Sequence, residues 1–249
     1  MELITELDKT YKTINVLGYN VLKSPLSELD FSKKTVINTI NQYSYCLAEY
    51  DSKFREALVK SDILLPDGIA IVISAKLCRK GKLSKIAGAD LHQYILEELD
   101  KKSGSCFYLG SSNSTLNKIV NKIGQEYPNI RVTTYSPPYK AVFSDEENAA
   151  MINAVNESNS DVIFIGMTAP KQEKWSLDFQ GQLNTKLVCT IGAVFDFYAG
   201  TINRPSKIWI SLGLEWFVRF VKEPKRLWQR YFYYGPIFGW HLFKAMFKS

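Results

Sequence analysis

Short apolar runs alternate with longer amphipathic stretches along most of this chain. Thr35 to Thr39, Ile63 to Leu65, Cys106 to Leu109, Val132 to Tyr135, Val162 to Ile165 and Leu187 to Ile191 each read as a short strand. Near-continuous apolar runs of this length suit a parallel sheet buried on both faces. Helical patterns fill the gaps. One runs from Gln42 to Lys60 with a break near Asp51, and one from Gly88 to Lys101 with an apolar face at Leu91, Ile95 and Leu99. A third follows Gly110-Ser-Ser-Asn-Ser through Glu126, and a fourth opens at Ser144 and runs to about Glu157. Ser144 and Glu147 have the spacing of a capping box. Ile69 to Leu77 is apolar at nearly every position and reads as a buried helix. Ahead of all of these, Ile14 to Val21 reads as a hairpin around Gly18 and Asn20. Strands alternating with helices of this length predict an α/β fold, Rossmann-like, with a mostly parallel sheet flanked by helices.

Charge and aromatic content change the picture only after Gly200, where the pattern becomes helical. Net charge over the 249 residues is +6, yet from residue 203 onward there are nine Lys/Arg against two Glu, so the excess belongs to the tail. The same tail carries four of the five tryptophans. Residues 1–202 therefore read as the Rossmann-like domain and 203–249 as a basic, aromatic-rich helical appendage. Leu212, Trp216 and Phe220 fall on one stripe, and Pro224 separates two basic-aromatic helices. Packing on the core or on a neighbouring subunit would account for such helices; the density of Trp, Tyr and Phe beside Arg and Lys favours an anionic membrane surface over nucleic acid. The four cysteines are far apart and form no C-x-x-C pair, which points to reduced thiols and the cytoplasm. The N-terminus lacks the apolar core of a signal peptide, and no uncharged apolar run is long enough to span a bilayer.

The organising stretch is Asp161 to Trp175, DVIFIGMTAPKQEKW. It reads as a strand that leaves the sheet at Gly166 and enters a helix opened by Pro170, with Lys171, Gln172 and Glu173 in the first turn. Ligands of open α/β sheets bind at that edge, and helix N-termini there favour phosphate. An ordinary βα turn with a solvated first turn would look the same. Other polar groups fall just past predicted strands: Thr39, Asn41, Asp67, Ser111 to Ser114 and Asp196. In a parallel sheet all of them converge on one edge. Asp67, between Pro66 and Gly68, is either a turn residue or a general base for a hydroxyl. The Gly110 loop either cradles a phosphate or caps a helix, and Asp90 is either a sugar ligand or an N-terminal cap. The run Lys76, Arg79, Lys80, Lys82, Lys85 is either a solvated loop or a diphosphate contact. His92 and His241 are far apart and no D-x-D occurs, which argues against a metal site.

Taken in order, these residues resemble the bacterial WecG/TagA/CpsF glycosyltransferases (glycosyltransferase family 26). The matching elements are Thr39-Ile-Asn41, Pro66-Asp67-Gly68, Gly88-Ala-Asp90, Phe107 to Gly110, Ile165 to Glu173 and Gly192 to Phe195. In the tail they are Arg204-Pro205, Gly213 to Trp216, Arg219 and Glu223 to Arg226. The resemblance implies transfer of a sugar, N-acetylmannosamine foremost, from a UDP-sugar to a polyprenyl-diphosphate-linked sugar for cell-surface polysaccharide. It implies inversion, with no metal or other cofactor. On this reading Asp67 is the base, and Thr39, Asn41 and Gln172 line the sugar and diphosphate site. Lys85, Asp90, Gly110 and Lys171 are further substrate contacts. Arg219, Arg226 and Arg230 of the appendage reach over the site while it docks on the inner face of the plasma membrane. Lys85 stands where the family often has Arg, and Gln229 where a second Arg beside Arg230 is common. The same fold with UDP-glucose, UDP-galactose or a uronic acid donor, or a silent membrane-peripheral glycan binder, are the rival readings. A homo-oligomer would also cover the tail's aromatic surface.

Overall fold

The computed structural model describes residues 11–202, 208–209 and 214–247; within the last stretch the side chains of Arg219 and Arg226 lie outside that description. A hairpin comes first, β1 (Thr13–Val16) and β2 (Tyr19–Leu22). Leu17 and Gly18 link the strands with φ of 53° and 89°. Two successive positive φ angles make the turn whose twist matches that of paired strands.

The central sheet has six strands: β3 (Thr35–Ile40), β4 (Ile63–Pro66), β5 (Ser105–Gly110), β6 (Arg131–Tyr135), β7 (Val162–Gly166) and β8 (Leu187–Thr190). Their order is β4-β3-β8-β7-β5-β6, and every pairing is parallel. Parallel strands need crossovers, which the helices supply. These are α1 (Gln42–Tyr50), α2 (Ser52–Val59), α3 (Ile69–Leu77), α4 (Gly88–Lys101), α5 (Asn113–Glu126), α6 (Asp145–Ser158) and α7 (Lys171–Phe179), with α8 (Val194–Tyr198) following the last strand. The break between α1 and α2 falls at Asp51, whose carboxylate caps α2 by accepting from the Phe54 N–H. The Ser144–Glu147 capping box also forms as its spacing predicts.

Alternation along the inner strands builds two cores at once. Cys106 and Tyr108 of β5 face a cluster with Leu91, Ile95, Ile119 and Phe195, while Phe107 and Leu109 face one with Met151, Ile163 and Trp175. A third cluster joins the hairpin to α1, α2 and α3. The C-terminal helices are α9 (Glu215–Lys222), α10 (Pro224–Trp228) and, after a π-helical turn at Gln229–Tyr233, α11 (Tyr234–Met246). Phe238 of α11 enters the third cluster and meets Tyr45 edge-on, 5.4 Å between centroids. So α11 is seated on α1. Its outer side, those of α9 and α10, and the π-helical turn leave Trp216, Phe217, Trp228, Phe232, Trp240 and Phe243 exposed. Among the described residues no helix is long and apolar enough to cross a membrane.

One expectation fails. Ile69 to Leu77 forms the predicted helix, but it is buried on one side only: Ile71, Ser74 and Ala75 are covered while Ile69, Ile73 and Leu77 face solvent. The sequence is apolar around the whole helix, so periodicity carries no information about which side is covered. Pro170 also lies one residue outside the helix it was expected to open, because α7 begins at Lys171.

Candidate active site

All six strands run the same way, so the polar residues after them share the C-terminal edge. One end of that edge is tightly built. Ile40 and Pro66 are partners in the β3–β4 register, and the Asp67 N–H donates to the Ile40 carbonyl at 2.9 Å. Gly68 has φ of 129° and lies against Asn41; a methyl there would come 3.4 Å from the Asn41 Cβ. Glycine is thus required for the backbone angle and suits the close approach. Asp67 and Asn41 are therefore neighbours, with Thr39 half-buried on the strand below, in register with Leu65.

Asn41 also has a structural duty. Its side-chain oxygen accepts from the Tyr43 and Ser44 N–H groups at 3.0 Å, and the Ser44 hydroxyl accepts from the Asn41 N–H. That box caps α1 through the side-chain oxygen and backbone N–H of Asn41, not through its amide nitrogen. Asp90 is a cap too, accepting from the Ala87 N–H at 2.9 Å at the start of α4.

Two elements distant in sequence close over this end. The loop after α3 docks through the Ile86 N–H, which donates to the Pro66 carbonyl at 3.1 Å. That brings up Lys85, whose ammonium pairs with Glu215 of α9 at 2.5 Å; the two side chains are 22% and 16% exposed. The cation that the sequence offered to a diphosphate is thus held by a carboxylate of the tail. From α11's side, Arg230 lies over the ring of Tyr43, 4.6 Å from its centroid, in the first turn of α1 beside Asn41. Arg219 and Arg226 fall within α9 and α10, and their side chains lie outside the described residues.

The other end of the edge lies between β5 and β7. From here the chain turns opposite ways, β5 leading to β6 and β7 leading to β8. Such a reversal is where open α/β sheets form their crevice. Its floor is glycine. Gly110 has φ of 122° and a methyl on it would sit 2.4 Å from the Gly166 carbonyl, while one on Gly166 would strike the Phe195 ring at 2.5 Å. Gly110 is thus required for packing, and the loop after it caps α5 through Ser112.

Gln172 and Glu173 are not a solvated first turn, being 3% and 2% exposed. The Gln172 oxygen accepts from the Met167 N–H at 3.1 Å, its nitrogen donates to Glu173 at 2.8 Å, and the amide fits under Gly192. The second Glu173 oxygen is buried without a hydrogen-bond partner, and burial pushes this carboxyl up to about 7. Lys171 turns away, donating to the Lys140 carbonyl at 2.7 Å and covering the Phe143 ring; burial pulls its ammonium down. Asp196 is in α8, with its backbone carbonyl accepting from Thr201. Asp67 and Gln172 share the edge but not a contact. Three strand spacings separate their strands, about 14 Å at 4.8 Å each.

Four contributors carried no local signal. Glu173 reads as a surface residue, Tyr43 as a helix residue and Glu215 as tail charge. Asn38 hides in an apolar strand, yet it accepts from the Thr190 hydroxyl at 2.5 Å and donates to Ser61 at 2.7 Å, a buried polar tie beneath the edge. The histidines are structural. His92 is buried against the Tyr108 hydroxyl at 2.5 Å and burial holds its pKa near 3, while His241 lies by Tyr45.

Comparison with known proteins identifies the family. Residues 14–249 match the model of the glycosyl transferase WecG/TagA/CpsF family. A relative from Bacillus subtilis (strain 168), an N-acetylglucosaminyldiphosphoundecaprenol N-acetyl-beta-D-mannosaminyltransferase, is 30% identical over 195 residues, 78% of this chain and 74% of its own. A protein of the same name from Bacillus spizizenii (strain ATCC 23059 / NRRL B-14472 / W23) is 28% identical over 202 residues, 81% of this chain and 76% of its own. With the family matched over nearly its whole length, this chain belongs to the WecG/TagA/CpsF family of glycosyl transferases.

Proposed function

We propose that this chain transfers N-acetylmannosamine from a UDP-sugar to the N-acetylglucosamine of a polyprenyl diphosphate, with inversion and without a metal ion. The observation that carries the reading is the convergence of Asp67, Asn41, the Lys85 loop and Arg230 at one end of the sheet edge. The sugar names come from the relatives.

Asp67 takes the proton of the acceptor hydroxyl as that oxygen bonds to the anomeric carbon. The bond from that carbon to the diphosphate oxygen breaks on the opposite face, and UDP leaves with the electron pair. One displacement of this kind inverts the anomeric centre. The growing negative charge on UDP requires preorganised donors. The donors proposed are the amide of Asn41, helix N-termini at the edge, and Arg219, Arg226 and Arg230 of the tail, with Lys85 joining them once it leaves Glu215. A ligand with its nucleotide at the β5–β7 crevice and its sugar towards Asp67 would use the 14 Å span, about the distance given by three strand spacings.

Residues 203–249 are proposed as a separate unit that docks on the inner face of the plasma membrane through the exposed aromatics of α9 to α11. The test of the reaction is UDP release with a panel of UDP-sugars, a short-chain polyprenyl-diphosphate N-acetylglucosamine acceptor, and EDTA. Release with UDP-N-acetylmannosamine is the expected result. Release with UDP-glucose alone would move the donor, and release only after a divalent ion is restored would overturn metal independence.

A further inference from the structure

We propose that the outer face of α3, with the basic loop after it, is a second docking surface for an anionic lipid bilayer, separate from the C-terminal helices. Ile71, Ser74 and Ala75 on the inner side of α3 are buried, the two apolar ones in the cluster beneath the hairpin. On the opposite side Ile69, Ile73 and Leu77 are 37%, 45% and 44% exposed. Residues four apart lie on one face, so these three form a single stripe along the helix, flanked by exposed Lys76. A helix on a soluble surface turns polar residues outward, and a contiguous apolar face left open marks a surface that something covers.

The charge beside the stripe identifies the occupant. Arg79, Lys80 and Lys82 are exposed, and no acidic residue occurs between Asp67 and Asp90. An apolar stripe whose loop side carries Lys76, Arg79, Lys80 and Lys82 complements the headgroups and acyl boundary of an anionic membrane. The patch is also continuous with other candidates for membrane contact. Its loop runs to Lys85, which holds Glu215 at the start of α9, where Trp216, Phe217 and Val221 are exposed. At its other end α3 begins directly after Asp67 and Gly68. This inference rests on the lipid-linked acceptor proposed above: an acceptor whose chain stays in the bilayer must present its sugar at Asp67, and a bilayer against α3 lies beside that residue.

The test is sedimentation of the full-length protein with phosphatidylcholine vesicles, with and without phosphatidylglycerol. Wild type is compared with Ile73→Gln/Leu77→Gln and with Lys80→Gln/Lys82→Gln. The lysine pair is expected to weaken binding to anionic vesicles about 25-fold, at about fivefold per cation near the surface. The apolar pair is expected to weaken it about tenfold, from the half-exposed area it withdraws. UDP release with a water-soluble acceptor should stay within about twofold of wild type for the apolar pair. That control separates the two ideas, because failure of the transferase reading would silence every protein in that assay and leave the vesicle result standing. The proposal is overturned if wild type ignores anionic vesicles, or if the apolar pair binds them as wild type does. It is also overturned if light scattering shows a wild-type dimer that the apolar pair dissolves while vesicle binding is unchanged, since a second copy would then be the occupant.

Discussion

Replacing Glu173 with Gln should stabilise this protein at alkaline pH, although it alters a fully buried residue. One Glu173 oxygen accepts from Gln172 and the other is buried without a partner, so hydrogen bonds from Gln172 and the Glu173 backbone offset only part of the cost when the carboxyl ionises. The charged groups on the neighbouring helices are paired elsewhere: Lys174 with Asp51, Lys53 with Asp178, and Lys140 with Glu147. Burial therefore dominates and lifts the carboxyl from 4.5 to about 7. The sign follows from proton counts. Between pH 4.5 and 7 the folded state holds a proton that the unfolded state has lost, so stability falls as pH rises through that window. At about 1.4 kcal/mol per unit, the loss is on the order of 3 kcal/mol by pH 8. Glutamine keeps the shape and the acceptor for Gln172 but cannot ionise. Urea unfolding at pH 5 and pH 8 measures the difference. The variant should match wild type within about 1 kcal/mol at pH 5 and exceed it by about 3 kcal/mol at pH 8. Equal stabilities at pH 8, or parallel pH slopes for the two proteins, would refute the burial argument.

Two further substitutions test the packing of the site. Gly110→Ala puts a methyl 2.4 Å from the Gly166 carbonyl at a φ of 122°, so it should destabilise the fold by more than about 3 kcal/mol or prevent soluble expression; a melting temperature within a few degrees of wild type would contradict this. The Lys85–Glu215 pair should show a coupling above the ~1 kcal/mol limit of exposed pairs in a double-mutant cycle to Gln, because both side chains are largely buried. A coupling near zero would mean that α9 is not held at the site by this bond.

How far the sequence could be read depends on the range of the interaction involved. The inner strands β5 and β7 announce themselves, since a strand buried on both faces must be apolar throughout. The Ser144 cap is equally legible, because it acts on a residue three positions away. Asp67 and Asn41 could be assigned to one edge once the sheet was taken as parallel, and their adjacency follows from β3 and β4 pairing. The strand order could not be read, because it is decided by contacts between residues more than a hundred positions apart, such as Asn38 with Thr190. The same holds for Lys85 with Glu215 and for Arg230 over Tyr43. Gln172 and Glu173 misled in another way. A polar first turn is normally solvated, and these are buried because Gly192 lets the next loop close over the Gln172 amide. On α3 the pattern predicted a buried helix, because a run apolar at nearly every position does not say which side is covered.

The central claim is that Asp67 is the base of a glycosyl transfer. The most direct measurement is the turnover of Asp67→Asn in the UDP-release assay, with saturating donor and acceptor. Asparagine keeps the size and the backbone bond to Ile40, so folding should be unaffected. A general base contributes about 10²–10⁴ to rate, and turnover should fall by that factor while the KM for donor changes little. A loss of less than about tenfold would contradict the account and move the proton to another group at the edge.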